Sequence, residues 1–367
     1  MIISVALSVT YGFWDGNYLR RRTPRVQYAS AWRNPSAGRL QPMGFSPRLR
    51  RWPPLRPEPP ACDTRLHWGH ALAIRFRVTS YSDDELARFR HVQQLAYRCV
   101  EAIEHELTAG MTEKQVARMM RAWLADHGVR EYFHVPFVWF GDRTSFTNFR
   151  GPFAFAPTTR RLERGMPVIL DVAPAVDGYP CDIGYSCSLG ANPTLARMQQ
   201  DLAAYRELIP RLVKQGKTAH EIYDEVDRLA ARQGYENRHR VYPQRVLAHK
   251  VFRMQPGWLD RVEVAGFGIR ALRGLNRAAR SARVGVEHTW PFWNDHTSSD
   301  VRVDPGLWAV EPHLGLGPIG SKWEELLLVT ENDARWLDDD LPHVRRWRDP
   351  ARNPAGTPAS KPAAVAA

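Results

Sequence analysis

The chain has 367 residues, 44% apolar and 25% charged, the balance of an ordinary folded protein large enough to need no disulfide staples. No run of about 18 apolar residues occurs, which excludes a helical membrane span. The net charge of +12 is concentrated at one end: residues 1–80 hold thirteen arginines against Asp15, Glu58 and Asp63, and the remainder is near neutral. A nucleic-acid role would therefore rest wholly on that segment and is not expected.

Residues 1–80 are rich in Arg, Pro and Trp and show no sustained periodicity. Trp52-Pro53-Pro54 and the stretch from Pro57 to Pro60 break any regular element. The segment is expected to be disordered, or to be translated from upstream of the true start. Met1 to Phe13 lack a basic leader, so no signal peptide is expected. Cys62, Cys99, Cys181 and Cys187 form no CxxC pair, which fits a reducing, cytoplasmic compartment.

The ordered part begins near Asp83. From Asp84 to Leu107, Leu86, Phe89, Val92, Leu95, Ala96, Cys99 and Ile103 recur at helical spacing. After Gly110, Thr112 can cap a second helix with Gln115 returning the bond; Val116, Met120 and Trp123 face inward and Gly128 ends it. The same unit returns 106 residues later as Gly216, Thr218, Ile222, Val226, Leu229 and Gly234, with Glu221 completing the cap. Six matches at one offset indicate two related halves, each a helix pair plus strands.

Strands are predicted at Val168–Val172 and, after the turn dipeptide Asp177-Gly178, at Tyr179–Ser186. Leu307–Val310 and Leu326–Thr330 read the same way. Val262–Gly285, rich in Arg and Gly, is expected to be an inserted surface loop, with a lid or a partner surface as the alternative. The folded domain is expected to span 81–345, with a disordered Ala/Pro-rich tail over 346–367.

Two acids stand out on the predicted hairpin. Asp171 closes the first strand and Asp182 lies on the returning one, so the turn brings them roughly opposite. Apposed carboxylates repel unless a proton or a cation sits between them, and hard oxygen ligands suit Mn, Mg, Co, Fe or Zn. Glu311 lies in Trp308-Ala309-Val310-Glu311-Pro312, beside an apolar strand where an unpaired carboxylate is costly.

Ile169-Leu170-Asp171-Val172 followed by Gly178-Tyr179-Pro180-Cys181-Asp182-Ile183 resembles the "DxG…GYxxD" hairpin of the M24 pita-bread metallopeptidases, which include methionine aminopeptidase, aminopeptidase P, prolidase and creatinase. The 11-residue separation of the acids matches that family. The remaining family ligands, a His, a Glu in an "EP" element and a Glu shortly before "VT", have counterparts in order: His249 in Val246–Lys250, Glu311 before Pro312, and Glu324 in Trp323–Thr330. The spacing to "VT" selects Glu324 over Glu325, and alternation would aim Glu325 to the other face.

The resemblance covers about residues 84–340. It implies an internally duplicated α/β (α+β) pita-bread fold, a mainly antiparallel curved sheet with outer helices and the site in its concavity. It further implies two divalent ions (Mn, Co, Fe or Zn) about 3.5–4 Å apart. Asp182 and Glu324 would bridge them, Asp171 would complete one site, and His249 with Glu311 the other. Glu311 would also shuttle a proton. The implied activity is that of an exopeptidase, aminopeptidase P- or prolidase-like, acting on an N-terminal or Xaa-Pro bond. A creatinase-like C–N hydrolase and a non-catalytic binding module are the alternatives. Homodimers occur in the family.

Three departures from the family pattern are visible. Asn148 stands where a "GxNxxxxH" pattern has His; it could hydrogen-bond a substrate carbonyl but carries no proton. The "GHGxG" around the ligand His is replaced by Leu247-Ala248-His249-Lys250-Val251. The second family His is missing seven residues later, where Pro256 stands. His288 is assigned to the substrate side, with His296 and His313 as competitors.

Overall fold

The computed structural model describes residues 81–255, 262–283 and 290–349. The expectations for residues 1–80, for His288 and for the chain beyond 349 lie outside the described residues. In chain order the elements are α1 (Asp83–Glu106), α2 (Glu113–Asp126), β1 (Glu131–Phe140), β2 (Pro167–Val176), β3 (Tyr179–Pro180), β4 (Ile183–Ser188), α3 (Pro193–Asp201), α4 (Ala203–Lys214), α5 (Ala219–Arg232), β5 (Glu236–Asn237) and β6 (Ala248–Val251). There follow β7 (Glu263–Val264), β8 (Phe267–Gly268), α6 (Ile269–Arg283), β9 (Phe292–Trp293), β10 (Gly306–Val310), β11 (His313–Leu316), β12 (Ile319–Lys322), β13 (Glu325–Val329), β14 (Ala334–Trp336) and α7 (Pro342–Arg348). Helix α7 carries the folded part three residues past the expected boundary at 345.

The duplicated unit is present in both halves. Thr112 accepts from the Gln115 amide and the Gln115 side chain accepts from the Thr112 amide; Thr218 and Glu221 repeat both bonds at the start of α5. Gly110, Gly128, Gly216 and Gly234 all have positive φ, the backbone that a Cβ disfavours. Each capping threonine also forms a one-residue antiparallel bridge, Thr112 to Arg161 and Thr218 to Arg302.

Among the described residues all named strand pairings are antiparallel, and they form three hydrogen-bonded sheets. The first runs β3-β2-β1-β8-β7 with β4 also on β2, the second β14-β13-β10-β6-β9, and the third β12-β11-β5. The predicted Asp177-Gly178 turn is formed, with both residues at positive φ, as a type I′ hairpin requires.

Each half has its own apolar layer. Phe89, Val92, Ala96, Cys99 and Ile103 of α1 pack with Val116 and Met120 of α2 against Val138, Val168 and Leu170. Tyr205, Ile209, Ile222 and Val226 of α4 and α5 pack against Trp308, Val310 and Leu327. A third cluster, rich in aromatics, includes Phe137, Trp139, Phe146, Phe155, Tyr242 and Phe292. Within the expected loop at Val262–Gly285, the described residues 262–283 form a short hairpin, β7–β8, leading into α6, whose Ala271 and Leu275 join that aromatic cluster. Ile269, Leu272, Leu275 and Ala278 repeat at helical spacing, so side-chain period outweighs the Arg and Gly content.

Candidate metal centre

Strand geometry brings the five expected residues together. Asp171 sits in the middle of β2, paired with Phe137 on β1 and Gly184 on β4; it does not close the strand, as the hairpin reading expected. Asp182 occupies the break between β3 and β4, so the two acids are not directly opposed. His249 comes from β6, Glu311 follows β10, and Glu324 lies between β12 and β13. All five are buried.

Two further side chains tie them into one cluster. The imidazole Nε2 of His134, on β1, lies 2.9 Å from Asp182 Oδ1 and 3.2 Å from Asp171 Oδ1. The Lys322 ammonium, at the end of β12, donates to Asp171 Oδ2 at 2.6 Å and to Glu311 Oε2 and Glu324 Oε2 at 2.9 Å each. His249 Nε2 meets the second oxygen of Asp182 at 3.1 Å and stands 3.8 Å from Glu324 Oε1.

Both imidazoles are aimed by their surroundings. His134 Nδ1 donates to the Val135 carbonyl at 2.9 Å and His249 Nδ1 to the Lys250 carbonyl at 3.4 Å, which leaves each Nε2 facing the carboxylates. His134 stacks on Phe137 and His249 on Phe133, each with ring centroids 5.0 Å apart. Tyr97 donates to the Glu324 carbonyl at 2.7 Å and so fixes that residue's backbone from α1.

The electrostatics follow from packing four carboxylates where water is scarce. Burial pushes the Glu324 carboxyl up, and Asp182 and Glu311 beside it raise it further, well above the ordinary range. Burial also raises Glu311, with Lys322 pulling the other way. Burial works against charge on Lys322 and His134, but the facing carboxylates override it and hold both well above their ordinary values. Asp182, which burial alone would raise, is held far below the usual carboxylate range by His134 and His249.

The donor set fits a divalent cation. Asp182, His249 and Glu324 each offer one ligand atom, all within 4.8 Å of one another, and His134, Asp171 and Asp182 do the same. Glu324 Oε1 is buried without a hydrogen-bond partner, and such an oxygen is costly unless a cation meets it. Oxygen donors with imidazoles suit Mn, Co, Fe or Zn.

The other sequence candidates lie elsewhere. Asn148 is exposed in the turn after β1 and does not line the cavity beside the cluster. His313 is buried and spends Nε2 on the Thr144 carbonyl at 2.8 Å, and burial with nearby Lys322 drives its basicity well down. His296 is partly exposed, beside Asp295. Glu325 points away from the cluster, to Arg206 and His343. His134 and Lys322 were not singled out in the sequence. Lys322 stands two residues before Glu324, the spacing at which extended residues share a face.

The family model of the metallopeptidase family M24 matches residues 87–331. An uncharacterized peptidase of Staphylococcus saprophyticus is 26% identical over 156 residues, 42% of this chain and 43% of the relative. An uncharacterized peptidase of Staphylococcus aureus is 28% identical over 109 residues, 30% of this chain and 29% of the relative. The matches thus span less than half of these curated relatives. Among solved structures, an X-Pro aminopeptidase from Thermotoga maritima matches with TM-score 0.53 at 17% identity, covering 72% of this chain and 63% of that one. A dipeptidase from Mycobacterium ulcerans matches with TM-score 0.52 at 18% identity, covering 73% and 61%. At this identity the likeness shows the pita-bread fold. With the family model matching two thirds of its length, the chain belongs to metallopeptidase family M24.

Proposed function

We propose that the protein is a metal-dependent exopeptidase that hydrolyses the first bond of a short peptide, with Xaa-Pro bonds as its preferred target. The observation that carries this reading is the opening of the carboxylate–histidine cluster into an apolar cavity. The cavity measures about 140 Å³, and its wall includes Phe137, Trp139, Phe155, Tyr242, Leu272 and Phe292. A cavity of about 150 Å³ accepts a benzene ring, so a prolyl ring or a branched aliphatic side chain fits here. The titratable groups that line it, among them Asp182, His249, Glu311 and Glu324, gather at the cluster.

A divalent ion at this centre would supply Lewis acidity and a nucleophilic water near neutral pH. The chain's own residues do the rest. Asp182, His249 and Glu324 would hold the ion. Glu311, raised by burial and held at 2.9 Å by Lys322, is placed to take a proton and return it to the leaving amine. The aromatic wall seats an apolar side chain and excludes water.

A creatinase-like amidine hydrolase is disfavoured by this wall, which offers few partners to a small polar substrate. Retention of all five expected ligand residues counts against a purely non-catalytic module. Free, buried Cys99, Cys181 and Cys187 support the proposed cytoplasmic, reducing location. Among the described residues no helix is long and apolar enough to cross a membrane.

The test is direct. The full chain, loaded in turn with Mn, Co, Fe and Zn, is assayed on Leu-Pro, Phe-Pro and a Met-initiated tripeptide, with creatine as control. Release of free amino acid from the proline peptides is expected. Turnover of creatine alone, or of nothing with any ion, overturns the proposal.

A further inference from the structure

The cluster holds four carboxylates whose oxygens are unequally engaged. Both oxygens of Asp171 are taken by groups of the protein: Oδ1 faces His134 Nε2 at 3.2 Å and Oδ2 accepts from Lys322 at 2.6 Å. The Lys322 ammonium reaches three carboxylates at once, Asp171, Glu311 and Glu324, at 2.6, 2.9 and 2.9 Å. That is the position a cation shared by those three acids would occupy. By contrast Asp182 Oδ2 and Glu324 Oε1 flank His249 Nε2 at 3.1 and 3.8 Å without the lysine, and Glu324 Oε1 has no hydrogen-bond partner.

The lysine is built into the fold. Its side chain is fully buried, and the Tyr242 ring lies 5.0 Å from its nitrogen. Its aliphatic stem crosses Gly184, where an added Cβ would stand 2.3 Å from Lys322 Cε and 3.0 Å from Cδ. Gly184 is the residue paired with Asp171 across β2 and β4. The strand beside the first aspartate thus leaves out a side chain where the lysine passes.

We infer that the centre takes one divalent ion, at Asp182, His249 and Glu324, and that the Lys322 ammonium serves as the second positive centre beside Asp171. This rests on the metallopeptidase reading and replaces the pair of ions that the family resemblance implies. Lys322 is a positioning residue: it holds Asp171, Glu311 and Glu324 together where a second ion would otherwise do so.

The test counts ions. The full chain is saturated with Mn, freed of excess, and measured by elemental analysis and by electron paramagnetic resonance. One ion per chain with the six-line signal of isolated Mn is expected. Lys322→Met is expected to take two ions and show the signal of an exchange-coupled pair. If that variant does not fold, Lys322→Gln, which keeps a donor for the carboxylates, is measured in its place with the same expectation. Two ions in the wild-type chain overturn this inference and leave the metallopeptidase reading standing. One ion in both wild type and the folded variant also overturns it, because the lysine then blocks nothing. No ion in the wild type overturns both.

Discussion

His134 and Asp182 face each other at 2.9 Å, while the other oxygen of the same carboxylate takes His249 at 3.1 Å. Asp182 therefore joins the two halves of the fold, meeting an imidazole from β1 on one side and one from β6 on the other. Asp182→Asn should abolish hydrolysis, by about a thousandfold or more, and with it ion binding, since it removes the charge that both imidazoles and the ion share. His134→Ala should weaken ion affinity about 10–100-fold, the usual cost of losing a group that orients a ligand. Competition for Mn against a chelator reads both. Unchanged affinity in His134→Ala would remove that residue from the centre.

Leu275 of α6 stands in the cavity wall, packed in the aromatic cluster. Leu275→Trp should fill space meant for the substrate. The KM for Phe-Pro is expected to rise about tenfold or more, with kcat and ion content little changed. A fall in ion content instead would mean that the wall supports the centre and not the substrate.

Glu325 makes a buried network with Arg206 and His343, at 2.8 and 2.6 Å. Burial alone would raise its carboxyl, but His343 and Arg206 hold it below its ordinary value of 4.5. With the folded value below the unfolded one, the stabilisation is fully present above about pH 4.5 and is lost as pH falls through the folded value. Glu325→Gln should cost about 3 kcal/mol at pH 7. Urea midpoints of wild type and variant should converge on acidification below pH 4.5.

The repeated caps make a matched pair of predictions. Thr112→Ala and Thr218→Ala should each cost about 1 kcal/mol. The two lie in separate halves, so the double variant should lose close to the sum. Equilibrium unfolding in denaturant measures all three.

Burial raises the thiol of Cys99 to about 12, and those of Cys181 and Cys187 well above their ordinary value. In a Cys62→Ala background none should react with iodoacetamide at pH 8 until the chain is unfolded. Mass spectrometry before and after denaturant decides this.

Much of the cluster was legible because the residues expected at it recur in a fixed order along the chain. Asp171, Asp182, His249, Glu311 and Glu324 lie together in the fold, and the two glycine–threonine units repeat the same reciprocal capping bonds. His134 was hidden by irregular geometry. The β1–β2 register shifts between Tyr132 and His134 and again between His134 and Phe137, so plain alternation does not tell which face that imidazole takes. Lys322 was overlooked because a lysine beside acids reads as a solvated surface charge, and burial is a property of the assembled fold. Helix α6 was misread from composition, although Leu272 and Leu275 carry its period.

Tyr97, from the middle of the first helix, grips the backbone carbonyl of Glu324. Ion occupancy and docking of that helix are therefore thermodynamically linked. A cavity-forming change on the outer layer, such as Val100→Ala, would surface as a looser hold on the ion even though it touches no ligand. Conversely, loading the ion should protect the amides of that helix against hydrogen exchange.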